Sequence, residues 1–203
     1  DVGRRRNASE LFVLEQVGTR YRERLHVTLP QTDFDLQEDL LMALLKRRPD
    51  VYRLCINESG LGMQLAEKVV KRYPSRAEGI TFTAPTKSVM AHQLKIDFES
   101  KNLEILADRD LMAQVHSVRK TVTTAGNIRL DTEHDDKHHA DMFWALALAR
   151  HAAAVVAVEF AGAPPRGQEY DLAAMKAAGA RLETYCVFCG TAQSVIDFFR
   201  TNG

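Results

Sequence analysis

Three acidic points in the chain stand where a secondary element begins or ends. Asp1 is followed by Gly3 and the basic run Arg4, Arg5 and Arg6. Asn57-Glu58 closes a short apolar run just before a glycine turn. Asp141 lies at the start of a strongly apolar stretch, with His138 and His139 just ahead of it. Strand ends and helix starts suit catalytic groups, because a rigid scaffold holds them at the edge of a sheet. Carboxylates gathered there from separate elements repel one another unless they share a proton or a divalent cation. Oxygen-rich sites of that kind suit magnesium or manganese, and two such ions about 3.5–4 Å apart can clamp the attacking water and the leaving oxygen of a phosphodiester.

The window 131–141 concentrates this chemistry. It holds Asp131, Glu133, Asp135, Asp136 and Asp141 against the single lysine Lys137, together with His134, His138 and His139. His138 and Asp141 are three residues apart and share a face if the stretch is helical, so a histidine there can ligate a metal or orient its water. The same residue types also serve as helix-start acids, with Asp135 or Asp136 as a cap. At the other end of the chain, Arg4, Arg5, Arg6, Arg20, Arg22 and Arg24 stand against Asp1, Glu10, Glu15 and Glu23. Such a set reads either as a basic rim for a phosphate backbone or as an ordinary solvated edge. Gly60-x-Gly62 lacks a third glycine and a Lys-Ser/Thr ending, so it reads as a tight strand-to-helix passage rather than a phosphate cradle. Cys186-x-x-Cys189 is half of a zinc knuckle without a second pair, and no Walker A sequence occurs.

The elements that must position these groups follow from periodicity and turn residues. Segments 9–17 and 20–29, joined at Gly18-Thr19, read as a hairpin. Thr32 is placed to cap a helix on Phe34, Leu36, Leu40, Leu41, Leu44 and Leu45, ending near Pro49. Residues 51–56 read as a strand buried on both faces, followed by the glycine turn and a helix over 63–73. A strand over 79–83 and a helix over 85–100 come next. Residues 118–123 and 128–131 form a second hairpin about Ala125-Gly126-Asn127, and an apolar helix runs from about 137 to 154. Two hairpins together with β-α-β units indicate an α/β fold with a mixed sheet and helices on its faces. The segment 161–167, rich in alanine, glycine and proline, reads as a linker or surface loop. Beyond it, helices are expected near 171–178 and 192–201 with a short strand at 185–188.

With 203 residues, 45% of them hydrophobic and 27% charged, the composition is that of an ordinary globular protein rather than a disordered one. Lysine plus arginine equals aspartate plus glutamate at 27 each. The zero net charge excludes attachment to nucleic acid or membrane by bulk positive charge, so a polyanionic substrate must be recognised through charge placement. No apolar run approaches the roughly 20 residues needed to span a bilayer, and no signal-type stretch follows the first arginines. Three cysteines are too few and too uneven for a disulfide framework, which points to a reducing compartment.

Taken together, several spaced motifs resemble a known family. They are Asp1-x-Gly3-Arg4, Cys-Ile-Asn-Glu-Ser-Gly-Leu-Gly-Met-Gln-Leu-Ala-Glu at 55–67, Gly-Ile-Thr-Phe-Thr at 79–83, and His116-Ser-Val-Arg-Lys with Gly126-Asn-Ile-Arg-Leu. The most specific is His139-Ala-Asp141-Met-Phe-Trp-Ala-Leu-Ala-Leu-Ala. Over residues 1–155 the chain resembles the C-terminal nuclease domain of phage large terminase subunits, in particular the Mu-like branch. The resemblance implies an RNase H-like mixed β-sheet flanked by helices, with an added β-hairpin before the last core helix. It also implies a Mg2+- or Mn2+-dependent endonuclease, with two ions, that cuts concatemeric double-stranded DNA during genome packaging. The partners it implies are an upstream ATPase domain of the same subunit, the portal and the small terminase subunit, in the host cytoplasm and with no membrane. Residues 156–203 are left as a C-terminal extension.

Position by position, the resemblance makes Asp1 the acid of the first strand and Asp141 the acid of the last helix. The acid that closes the central strand falls at Asn57, where such domains usually carry Asp, and Asn7 likewise stands where related sequences often carry Asp. An amide brings no negative charge to a metal. Glu58 is adjacent and would supply the carboxylate if it turned inward, although strand alternation sends 57 and 58 to opposite faces. Either the site is weakened, or Glu58 together with Asp131, Asp135 or Asp136 completes it. The resulting catalytic set is Asp1, Asn57, Glu58, Asp141, His138 and His139, the metal set Asp1, Glu58 and Asp141, and the DNA-contacting set Arg4, Arg5 and Arg6. A resolvase- or integrase-like nuclease, and a catalytically weakened DNA- or portal-docking domain, remain the alternatives.

Overall fold

The computed structural model of the chain describes residues 1–3, 8–122, 128–132 and 140–160. Strand β1 (Ser9–Val17) turns at Gly18, whose φ of 62° suits a residue without Cβ, into strand β2 (Arg20–Leu29). The two pair antiparallel from Ser9 opposite Leu29 to Val17 opposite Arg20, with a register shift between Val13 and Leu14. Helix α1 (Phe34–Arg47) follows and buries Leu40, Leu41, Leu44 and Leu45. Its N-cap is Asp33, not Thr32, because the Thr32 hydroxyl is turned back onto the Pro30 carbonyl (3.2 Å).

The centre of the molecule is a β-α-β unit. Strand β3 (Leu54–Asn57) passes through a 3-10 turn at Gly60–Gly62 into helix α2 (Met63–Arg72), and strand β4 (Ala77–Ile80) returns parallel to β3, with Asn57 opposite Ile80. β3 begins three residues later than the apolar pattern predicts, and only its alternate residues Leu54 and Ile56 are fully buried. Helix α3 (Ala84–Glu99) starts on a capping box between Thr83 and Thr86 with Pro85 in the first turn. Two elements are not foreshadowed by the sequence pattern. Strand β5 (Leu103–Glu104) pairs parallel with β2, and helix α4 (Arg109–Ser117) is capped by Asp108, whose Oδ1 accepts from the Asp110 and Leu111 N–H groups. Strands β6 (Val118–Val122) and β7 (Ile128–Thr132) form the second hairpin, and helix α5 (Asp141–Phe160) ends the described chain.

Hydrogen bonding divides the strands into three sheets, β1-β2-β5, β3-β4 and β6-β7, where one mixed sheet was expected. Asp1 spans the gap between the first two. Its main chain exchanges two hydrogen bonds with Glu10 of β1 (2.8 and 3.1 Å), while its side chain reaches the end of β3. Two apolar clusters fill the molecule. One joins α5 to Phe12 of β1, Met90 and Leu94 of α3 and Leu111 of α4, and the other joins α1 and α2 to β2, β3 and Ala77 of β4.

Helix α5 explains its own composition. Every residue from Met142 to Leu148 is buried, because the helix is packed by strands on one side and by α3 and α4 on the others. Its first turn is satisfied from α4, where Gln114 Oε1 accepts from the N–H groups of Met142 (2.9 Å) and Phe143 (3.4 Å). No helix among the described residues is long and apolar enough to cross a membrane. The readings placed on 161–203, including the linker and Cys186 and Cys189, lie outside the described residues.

Candidate active site

The residues that converge come from the first residue of the chain, the carboxyl end of β3 and the first turn of α5. Asp1 is half-buried, and its Oδ1 accepts from the Val2 N–H (2.9 Å) and from Asn57 Nδ2 (2.8 Å). Asn57 in turn uses its Oδ1 to accept from the Ser59 N–H (2.9 Å). Asp141 opens α5, which packs across β1 and β3. Its carboxylate acts electrostatically on the Asp1 main-chain nitrogen. The negative field of Glu10 reaches the same nitrogen. A carboxylate in the first turn of a helix is favoured by the helix dipole, so α5 places and stabilises Asp141 at once.

Glu58 goes elsewhere. The Thr81 hydroxyl donates to Glu58 Oε1 (2.5 Å), and the rest of the carboxylate lies over Gly79 of β4. The alternation expected of a strand therefore holds at its end, and positions 57 and 58 serve different neighbours. Gly79 permits this, since a Cβ there would overlap the Glu58 carboxylate. Gly62 acts similarly for Asn57, because a Cβ at 62 would overlap the Asn57 carbonyl oxygen. The reading of Gly60-x-Gly62 as a close strand-to-helix passage thus has a physical basis.

The structure joins Asp1 to Asn57 at the end of β3, leaves Asp141 within electrostatic reach of Asp1, and turns Glu58 onto Thr81 and Gly79. Among the described residues, no group of three or more His, Cys, Asp or Glu side chains stands close enough together to hold a metal. His138, His139, Arg4, Arg5 and Arg6 lie outside the described residues, as do His134, Glu133, Asp135, Asp136 and Asn7. Asp131 sits in β7 opposite Arg119. The three remaining arginines of the basic rim lie on β2, the middle strand of its sheet, and are paired on its solvated face. Arg20 and Arg22 pair with Glu104 (3.5 and 2.7 Å), and Arg24 pairs with Glu15.

One residue of this neighbourhood is missed by sequence reasoning. Glu10 is 6% exposed, backs directly onto Asp1, and its Oε2 meets His26 Nε2 (2.9 Å) and accepts from the Thr28 hydroxyl (2.8 Å). In the sequence it is one acid in a polar-apolar alternation. Only the pairing of β1 with β2 shows that His26 and Thr28 stand ready to receive it. The thiol of Cys55, two residues before Asn57, is pushed up to about 11 by burial, so it is protonated at neutral pH and a poor nucleophile. A larger concavity of about 380 Å³ opens between α1 and α2, lined by Asp33, Asp35, Glu38 and Lys68 among others, and the converging acids do not line it.

A family model described as a terminase RNaseH-like domain matches residues 1–153. Among solved structures, the large terminase nuclease from thermophilic phage G20c superposes with a TM-score of 0.52 at 12% identity, covering 73% of this chain and 84% of that one. The same nuclease with bound cobalt gives 0.51 at 14% identity, and with bound magnesium 0.51 at 13%, each covering 73% of this chain and 83% of that one. No curated protein matches the chain.

Proposed function

Because the chain belongs to the terminase RNase H-like domain family, we propose that it is the DNA-cleaving domain of a phage large terminase subunit. In this reading it cuts concatemeric double-stranded DNA during genome packaging, as an endodeoxyribonuclease dependent on a divalent cation, with its motifs closest to the Mu-like branch. The observation that carries the reading is the hydrogen bond that ties Asp1 to Asn57 at the end of β3, with Asp141 of α5 within electrostatic reach of Asp1.

The donor chemistry fits one hard cation. Magnesium is commonly held by one or two carboxylates, with water and phosphate oxygens completing its shell. Asp1 and Asp141 are the two carboxylates that would hold it. A divalent ion bound there would polarise a phosphate and lower the pKa of a bound water. The chain's own residues do the rest. The Asn57 amide and the Val2 N–H fix the direction of the Asp1 carboxylate, and Gln114 holds the first turn of α5, which carries Asp141. His138 and His139, next to Asp141 in sequence, are proposed to position the attacking water, and Arg4, Arg5 and Arg6 to contact the DNA backbone. Glu58 completes the metal set only by leaving Thr81. The G20c nuclease has been solved with magnesium and with cobalt, and manganese is included here on the same ligand preference. An upstream ATPase domain, the portal and the small terminase subunit are the proposed partners, in the host cytoplasm.

Incubation with supercoiled plasmid and Mn2+, with Asp141→Asn as control, tests the proposal. Nicking or linearisation is expected in the wild type. Losing one of two carboxylate ligands removes several kcal/mol of transition-state stabilisation, so the variant should lose at least about 100-fold. Cleavage that survives the substitution would sink the assignment. A protein that binds DNA without cutting it would favour the docking reading, for which the Asn57 amide on Asp1 is the supporting observation.

A further inference from the structure

The orientation of the Asn57 amide is settled by its neighbours. A backbone N–H can only donate, so the end facing Ser59 N–H at 2.9 Å is the carbonyl oxygen, and the end facing Asp1 Oδ1 at 2.8 Å is the NH2 group. Asp1 Oδ1 therefore receives two donors, this amide and the Val2 N–H. A carboxylate at position 57 in the same pose would set oxygen against oxygen at hydrogen-bond distance. Such a pair stands only with a shared proton or a cation between the two groups. The neighbouring acid does not restore that need, because Glu58 is engaged by Thr81 (2.5 Å) and lies over Gly79. Asp1 Oδ1 is thus satisfied by donors from within the protein on the side that faces the end of β3.

We propose that the Asn57 amide occupies the place of a divalent cation on Asp1, so that this chain is a single-ion centre whose affinity for divalent metal is set at position 57. The inference rests on the reading of Asp1 and Asp141 as the ion-binding pair. Asn57 is in this account a positioning residue, and its effect is read in binding and stability rather than in turnover.

The experiment is titration of the full chain with MnCl2 by calorimetry, together with thermal unfolding with and without Mn2+. It compares the wild type with Asn57→Asp, Asn57→Ala and Asp141→Asn. The wild type is expected to bind one Mn2+, with a modest rise in Tm. Asn57→Asp should unfold at lower temperature without metal, recover with Mn2+, and bind the ion at least about tenfold more tightly, as expected when a carboxylate ligand is added to a hard-cation site. Asn57→Ala removes the amide donor without adding charge. Mn2+ should therefore raise its Tm more than that of the wild type, which keeps the test decisive if Asn57→Asp does not fold. Asp141→Asn should lose the wild-type ion. Two ions in the wild type, or no greater Mn2+-dependent stabilisation in either Asn57 variant, overturns the inference while leaving the Asp1–Asp141 pair intact. Retention of the ion by Asp141→Asn overturns the pair, and the inference with it.

Discussion

Two glycines decide where the polar groups of the site point. At Gly62 an added Cβ would meet main chain, the Asn57 carbonyl oxygen, with the Val2 Cβ also near (3.3 Å). At Gly79 the same atom would meet the far end of a flexible side chain, the Glu58 carboxylate. Main chain inside a packed turn yields less readily than a carboxylate that can swing. Gly62→Ala is therefore expected to cost about 1–3 kcal/mol, as overpacking does in a close contact, and Gly79→Ala clearly less. Urea denaturation of the two variants checks this, and equal costs would show that the Asn57 turn is softer than its contacts imply. The glycine spacing was legible in the sequence as a close passage. Which atom each glycine makes room for was not, because that depends on β3 and β4 lying side by side.

At the scale of elements, α5 joins the site to the core. Its first turn carries Asp141, its middle fills the apolar cluster, and Arg150 on a later turn forms a buried ion pair with Asp97 of α3. The Arg150 guanidinium also lies 4.0 Å from the centre of the Tyr21 ring, on β2. Side chains of both partners are less than a tenth exposed. Removing one partner of such a pair leaves a buried charge without its counterion, which typically costs about 3–5 kcal/mol, whereas replacing both with apolar groups costs far less. Asp97→Ala should therefore destabilise the chain by about that amount, and Asp97→Ala combined with Arg150→Met by much less. The double-mutant comparison in urea reads this directly, and additive losses would contradict it. Sequence periodicity revealed α5, the longest apolar stretch, but not β5 or α4. β5 is only two residues long, and α4 buries just Leu111 fully, so neither carries a strong pattern.

Across the whole molecule, the zero net charge arises partly from local cancellation. Of the six arginines near the start of the chain, Arg20, Arg22 and Arg24 on the central strand β2 are paired with Glu104 and Glu15 of the strands on either side. Their charge is already compensated and is less free to displace counterions from DNA. The isolated chain is expected to bind short duplex DNA with a Kd weaker than about 1 µM at about 0.15 M salt, and to lose that binding steeply as salt rises. Fluorescence anisotropy across a salt series measures both, and tight, salt-insensitive binding would refute the charge argument. Attachment to an ATPase domain already on the DNA would compensate through effective concentration.

The sequence by itself determined the α/β class, the first hairpin and the β-α-β centre with its glycine passage. Local periodicity, turn chemistry and motif spacing are properties of the chain and survive without coordinates. Only the tertiary structure decided that the Asn57 amide donates to Asp1, that Glu58 is turned onto Thr81, and that Glu10 stands behind Asp1 with His26 and Thr28. The physical reason is the same in each case. A hydrogen bond between residues far apart in sequence is set by which strands lie adjacent and in what register, and no local pattern encodes that.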